Sequence, residues 1–428
     1  MADSLRRRGL AYDQVDANDG VGGNWRRGIY KGVHIVSSKR STAFADYPMP
    51  DHYPDFPNEE QMRLYLESYA RDRGVLNGIE FGRTVVRAQP LADESWRVRF
   101  NDGEEREYKG VVVCNGHHWD KRYPEYPGRF AGTFIHSKEY QESKQLQDKR
   151  VLVIGGGNSG CDLACDAARV GTSCDLSLRS GYWFLPKTAF GRPLTDLPIW
   201  GLPVFMQRLF LRALVWTTIG DYRRYGLQRP NHKLFERHPA YGTDLLNYLR
   251  QGRIKPRPDI VRFAGNKVHF TDGTVGEYDM IVAATGFRNC FPFLPKGLVP
   301  VDNEIVQVYG GAFPDAVKNL YIIGWAQPRN GFGGLLTPAA RLYSEMIALQ
   351  DEMELPIGYI MKWRGFKMPS TNLVNPATVR RLMWCAHYVL PLLRRRSRIL
   401  AKKEPREPFD PSLYPFESEA PERTVAVS

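Results

Sequence analysis

An α/β fold of two parallel-sheet units, the second inserted in the first, is what this sequence of 428 residues predicts. Three observations carry that prediction. A complete strand–glycine turn–helix signal lies in mid-chain, at Val151-Leu-Val-Ile-Gly-Gly-Gly-Asn-Ser-Gly160 with Cys161–Val170 after it. The second half of a similar unit stands at the start, over Ala2–Trp25. Two apolar runs, Val111-Val-Val-Cys-Asn-Gly116 and Val282-Ala-Ala-Thr-Gly286, end on glycines on either side of the mid-chain signal. Strand ends of this kind are where a chain crosses between two such units.

The opening elements are read first. Ala2-Asp-Ser-Leu-Arg-Arg-Arg-Gly9 looks like the C-terminal half of a helix with a glycine stop. Leu10–Val15 reads as a strand, with Asp16 at its end, placed for a ribose hydroxyl. Asp19-Gly-Val-Gly-Gly-Asn-Trp25 follows. The first strand and glycine turn of this unit, about 20 residues, are missing ahead of it. The sequence is therefore expected to be N-terminally truncated. Asn58–Gly74 reads as a helix with an Asn cap.

The mid-chain signal is whole. Gly155, Gly157 and Gly160 have the G-x-G-x-x-G spacing, with Asn158 and Ser159 completing the turn. These glycines permit a tight turn, close approach of backbone to a pyrophosphate, and close helix–strand packing. The helix N-terminus offers free N–H groups and a partial positive charge. After the next strand, Thr172–Leu178, an NAD site usually has Asp or Glu, about 20 residues past the turn. Arg179 stands here instead, followed by Ser180 and Gly181. A guanidinium suits a 2′-phosphate, so NADPH is expected over NADH.

Further along, Phe130-Ala-Gly132-Thr-Phe-Ile-His136-Ser-Lys-Glu-Tyr140 fits the pattern F-x-G-x-x-x-H-x-x-x-[Y/F]. With it come Ser37-Ser-Lys39, Phe44-Ala-Asp-Tyr-Pro48, Pro54-Asp-Phe-Pro57, Ala284-Thr-Gly-Phe287 and Asn319-Leu-Tyr-Ile-Ile-Gly324 with Gln327-Pro328. In these motifs the chain resembles the flavin-containing monooxygenases, from residue 2 to about residue 350 and in the family's order. Tyr140, where the related Baeyer–Villiger enzymes carry Trp, favours the heteroatom-oxidising branch. The resemblance implies FAD contacts at Asp16, Gly22, Gly23, Asn24, Trp25, Gly324 and Gln327. It adds Thr285 and Gly286 to the NADP site of Gly155, Gly157, Asn158, Ser159, Gly160 and Arg179.

The implied chemistry is hydride transfer from NADPH to FAD, then transfer of one oxygen atom from O₂ to a small organic substrate at a soft nitrogen or sulfur. The reactive chemistry belongs to the cofactors. Val36 stands where the family has an Asn facing flavin and substrate, and Val cannot hydrogen-bond there. Ser37 and Ser38 are the nearest candidates for that role. Two alternatives remain: an NADPH oxidase or reductase without oxygen insertion, and a non-catalytic truncated remnant unable to hold FAD. Without its first turn, the chain is expected to bind NADP more firmly than FAD.

Composition agrees with a globular protein of two units: 43% hydrophobic and 25% charged. Cys114, Cys161, Cys165, Cys174, Cys290 and Cys385 form no C-x-x-C pair, so no metal site is expected. His117 and His118, adjacent after a strand end, point in different directions and fit the flavin side better than a metal. The net charge of +12 raises nucleic acid as a partner, but the basic residues are scattered and form no nucleic-acid-binding pattern. Many of them flank Leu382–Leu393, which is too short to span a bilayer and is broken by Pro391. Residues 378–403 can lie on a membrane surface, cap the domain or join a homodimer. No signal peptide is seen, and a cytoplasmic protein is expected. The expected organisation is an FAD unit at 1–145 and 282–350, the NADPH unit at 146–281, a basic, apolar helical segment at 351–403 and a mobile tail at 404–428.

Overall fold

The computed structural model describes residues 1–403 and 406–416. Its main sheet has five parallel strands, in the order Ile254–Arg257, Ser173–Ser177, Arg150–Ile154, Met280–Ala283, Thr133–His136. The two central strands are apolar because both faces of the sheet are covered: Val151, Val153 and Val282 pack toward the helix Asn158–Val170, and Leu152 and Ile281 toward the antiparallel strands Ile260–Ala264, Lys267–Phe270 and Val275–Glu277; all five are fully buried. Thr133–His136 comes ahead of the expected boundary at 146. The inserted unit borrows this edge strand from the preceding segment, so the Phe130–Tyr140 motif is built into its sheet.

The first unit is more divided. Helix α1 (Ala2–Arg7) precedes a short strand, Gln14–Asp16, which pairs in parallel with Ile79–Phe81. The strand expected over Leu10–Val15 is shorter: it begins four residues later, at Gln14, and ends one residue later, at Asp16. Val111–Val113 pairs in parallel with Leu320–Ile322, and no described strand joins the two pairs. Between them lie α2 (Lys39–Thr42) and α3 (Glu59–Asp72). Asn58 caps α3 through a reciprocal bond with Gln61, as expected of an Asn–x–x–Gln start.

In the inserted unit, α4 (Asn158–Val170) begins three residues earlier than its apolar pattern suggests, directly on the glycine turn. Its apolar face, Cys161, Leu163, Ala164, Cys165, Ala167 and Ala168, is buried against the sheet. Helix α5 (Val204–Thr218) buries Leu211, Leu214 and Val215 but leaves Phe205, Leu209 and Trp216 exposed. Helix α6 (Thr243–Arg250) leads to the sheet-edge strand Ile254–Arg257.

The C-terminal part is helical: α7 (Gly333–Gln350), α8 (Ile357–Trp363) and α9 (Pro376–Lys403). Two expectations fail here. Pro391 does not break α9, which runs through it. A proline removes one helical hydrogen bond, and packing outweighs that loss: Met383, Leu393 and Leu400 are buried on the α7–α8 cluster. Arg394 also pairs with Glu352 at 2.7 Å. The tail, expected mobile over 404–428, is docked over 406–416. Arg406 meets Glu94 at 2.8 Å, Phe409 is buried, and the Pro415 carbonyl accepts from the Lys296 amide at 2.8 Å. Polar composition hid one aromatic anchor and one ion pair. The remainder of that tail lies outside the described residues.

Candidate dinucleotide and flavin sites

The glycine turn is shaped by steric need at two positions. Gly155 has φ of +110°, and a Cβ there would overlap the Ala284 carbonyl. A Cβ at Gly160 would overlap the Gly155 carbonyl. Gly157, the N-cap of α4, has nothing within 4 Å of where a Cβ would stand and makes no side-chain cap bond. The first N–H groups of α4 are therefore presented bare at an open backbone, which fits a pyrophosphate. Asn158 turns inward, its Oδ1 accepting from the Tyr241 amide at 2.8 Å.

Arg179 is exposed immediately past Ser173–Ser177. Beside it, Ser180 Oγ accepts from Arg237 Nη1 at 3.3 Å. Arg237 was not visible in the sequence pattern, since it arrives from a loop 57 residues on. Thr285 and Gly286 cross-link the strand end to the 122 region. Thr285 Oγ1 donates to the Arg122 carbonyl, and Arg122 Nη2 returns a bond to the Thr285 carbonyl at 2.7 Å.

His136 is wholly buried. Its Nε2–H donates to the Gly286 carbonyl at 3.0 Å, and its Nδ1 accepts from the Lys138 amide at 3.1 Å. Burial holds its imidazole below the usual histidine range. Tyr140 Oη donates to Asp166 of α4 at 2.9 Å, so Tyr140 ties the crossing segment to the inserted unit and His136 ties it to the strand end where the chain leaves that unit.

The flavin-side motifs, remote in sequence, meet at one place. Lys138 Nζ donates to Asn24 Oδ1 and, at 3.3 Å, to the His118 carbonyl. His117 Nδ1 lies 3.0 Å from the Gly324 carbonyl. Gly324 has φ of +90° and no atom within 4 Å of a Cβ position. His117 and His118 both have lowered pKa values: surrounding protein disfavours their charged forms, and at His118 the adjacent His117 opposes protonation further. Burial also lowers that of Lys138. Lys138 lies inside the Phe130–Tyr140 motif, at a position its pattern leaves open.

Asp16 Oδ1 accepts from the Asn18 amide and side chain, both at 2.8 Å, leaving Oδ2 without a partner among the described residues. That oxygen and the bare Gly324 backbone fit a flavin nucleotide. Gly22 and Gly23 adopt positive φ and lead into the turn Gly23–Trp25. Trp25 packs against the apolar clusters on both sides of that turn. Gln327 pairs its backbone with the 372–373 segment.

Val36 is half-buried against the large apolar cluster. Neither neighbouring serine hydroxyl is idle. Ser37 Oγ lies 2.7 Å from Thr42 Oγ1. Ser38 is fully buried, caps α2 by accepting from the Ser41 amide at 3.0 Å, and donates to the Asp196 carboxylate. Its own amide donates to Thr195 Oγ1 at 2.9 Å. This segment is thus clamped to the inserted unit. No group of three or more metal-ligating side chains occurs among the described residues.

Fold and site together place a complete strand–glycine turn–helix unit inside a second, more divided unit. The model of the flavin-binding monooxygenase-like family matches residues 15–345, and the chain belongs to that family. It is 34% identical over 344 residues to flavin-containing monooxygenase 5 of Rattus norvegicus, covering 73% of this chain. The match spans 64% of the rat protein's length. It is 31% identical over 301 residues to the indole-3-pyruvate monooxygenase YUCCA1 of Oryza sativa subsp. japonica, covering 67% of this chain and 73% of that protein. Cyclohexanone monooxygenase from Rhodococcus sp. Phi1, solved bound to NADP⁺, shares the fold: TM-score 0.68 and 18% identity over 92% of this chain and 95% of that one.

Proposed function

We propose that the protein is an NADPH- and FAD-dependent monooxygenase that inserts one oxygen atom from O₂ into a small organic substrate at a soft nitrogen or sulfur. The observation that carries this reading is the convergence of Asn24, His117, Lys138 and Gly324 in a family member with an intact glycine turn at 155–160. FAD, when bound, supplies the redox and oxygen-activating chemistry. The chain's own residues bind and orient. The α4 N-terminus takes the dinucleotide pyrophosphate, Arg179 and Ser180 take the 2′-phosphate, and Asp16 Oδ2 takes a flavin ribose hydroxyl. The bonds of Ser38 to Thr195 and Asp196 keep the segment carrying Val36 in place.

The test is NADPH turnover by FAD-loaded protein under ¹⁸O₂ with methyl p-tolyl sulfide or N,N-dimethylaniline. One labelled oxygen in the product supports the reading. Val36 favours a second reading, an NADPH oxidase, because it offers no hydrogen bond where the family has one. Hydrogen peroxide equal to NADPH consumed, with no labelled product, would establish that reading instead. Protein that neither retains FAD nor consumes NADPH would be the remnant.

We further read α9 as a peripheral membrane contact. Leu382, Trp384, Tyr388 and Leu392 are exposed between Arg380–Arg381 and Arg394–Arg396, a combination suited to an anionic bilayer surface. No described helix is long and apolar enough to cross a membrane. Co-sedimentation with phosphatidylserine vesicles, lost in Trp384→Glu, tests this; dimers in solution without vesicle binding would assign the face to a second copy.

A further inference from the structure

One charged side chain at the seam between the two units has buried nitrogens with no acceptor among the described residues. Arg329 follows the short strand Gln327–Pro328. Its backbone is held on both sides: its amide donates to the Val374 carbonyl at 3.0 Å, and its carbonyl accepts from Tyr241 Oη at 3.3 Å. Tyr241 is in turn fixed to Asn158 of the glycine turn. On the other side, a Cβ at Gly331 would lie 2.5 Å from the Ser41 carbonyl, so the loop abuts the Ser37–Thr42 segment. Arg329 therefore sits between the dinucleotide turn and the clamped serine segment.

The guanidinium lies 4.7 Å over the ring of Phe235. Phe235 itself has φ of +71°, a conformation that costs energy for a bulky residue and is frequent at ligand sites. Arg329 Nε and Nη1 are buried and have no acceptor among the described residues. Asn330 Oδ1, next in the chain, is likewise buried without a donor. No carboxylate reaches Arg329 among the described residues. The charge that does influence it is Arg208, which, after burial, disfavours the charged form. Other substantially buried arginines are paired: Arg257 with Asp175 at 2.6 Å, Arg406 with Glu94 at 2.8 Å, Arg83 with Glu80 at 2.7 Å. A buried cation without an anion is strongly destabilising, and such an orphan points to a ligand that supplies the missing acceptor.

We propose that Arg329, with Asn330 beside it, is the binding position for an oxyanion, a carboxylate or phosphate, on a ligand that lies across the seam between the two units. This rests on the monooxygenase reading and refines it: the oxyanion belongs either to NADPH or to a substrate bearing a carboxylate. Arg329 provides the charge and two N–H donors, and Asn330 Oδ1 accepts from a donor on the same ligand.

The test uses FAD-treated full-length protein, Arg329→Met and Arg329→Lys, with binding followed by calorimetry. In the first arm NADP⁺ is titrated. In the second, phenylacetate and phenylacetamide are titrated at saturating NADP⁺. Loss of a charge-assisted contact predicts roughly 10- to 150-fold weaker binding in Arg329→Met, with Arg329→Lys in between. Weakening of NADP⁺ assigns the oxyanion to the dinucleotide. Loss of a preference for phenylacetate over phenylacetamide assigns it to substrate. The unliganded Arg329→Met protein should melt no lower than the parent, because a buried charge without an acceptor has been removed. NADP⁺ affinity equal to the parent's, together with no phenylacetate preference that depends on Arg329, overturns the proposal. A parent protein that fails to bind NADP⁺ at all would instead sink the monooxygenase reading.

Discussion

Replacing His136 by Ala tests how the family motif works in this chain. The imidazole is fully buried and makes two hydrogen bonds, to the Gly286 carbonyl at 3.0 Å and from the Lys138 amide at 3.1 Å. It also meets Phe287 and Tyr123 edge-on, with centroids 5.1 and 5.5 Å away. The Gly286 carbonyl keeps a second donor in the Arg122 amide at 3.1 Å, but the Lys138 amide has no substitute partner at that position. Two lost hydrogen bonds, one orphaned N–H and two lost ring contacts sum to about 3–5 kcal/mol. The pH dependence is equally specific. Burial lowers the folded-state pKa of His136, and its Nδ1 lone pair is already used. The unfolded imidazole takes a proton near pH 6.5 and the folded one resists it. Its contribution is therefore fully present above about pH 6.5 and declines as pH falls toward the folded pKa. Urea unfolding of parent and variant at pH 7.5, 6.5 and 5.5 measures both effects. His117, His118 and His238 are lowered too and act in the same direction, so the difference between parent and variant isolates His136. A cost below about 1 kcal/mol, or a gap that stays constant or widens on acidification, refutes the reasoning.

Arg179→Ala should weaken NADPH roughly 10- to 150-fold and leave NADH nearly unchanged, read by fluorescence titration; equal losses for both would move the selectivity to Arg237, which reaches Ser180 from the neighbouring loop. Val36→Asn should raise the fraction of NADPH converted to oxygenated product, measured as hydrogen peroxide released per NADPH consumed with and without a sulfide. No change would show that position 36 does not set coupling.

What the sequence determined by itself is local. The glycine turn at 155–160, the helix after it, the Asn58 cap and the strand preceding Arg179 could be read because each depends on residues a few positions apart. Steric demand at Gly155 and Gly160 leaves little freedom in how that stretch folds. The family pattern located Phe130–Tyr140, yet not its work: that His136 bonds Gly286 and Tyr140 bonds Asp166 depends on segments up to 150 residues away. Only the tertiary structure decided that Thr133–His136 joins the inserted sheet, that α9 runs through Pro391, and that Ser37 and Ser38 spend their hydroxyls on Thr42, Ser41 and Asp196. The same holds for Lys138 joining Asn24 to the 118 region, and for Arg329 Nε and Nη1 left without an acceptor among the described residues. The physical reason is that backbone preference acts over a few residues, whereas burial and the pairing of polar groups depend on which distant segments pack together.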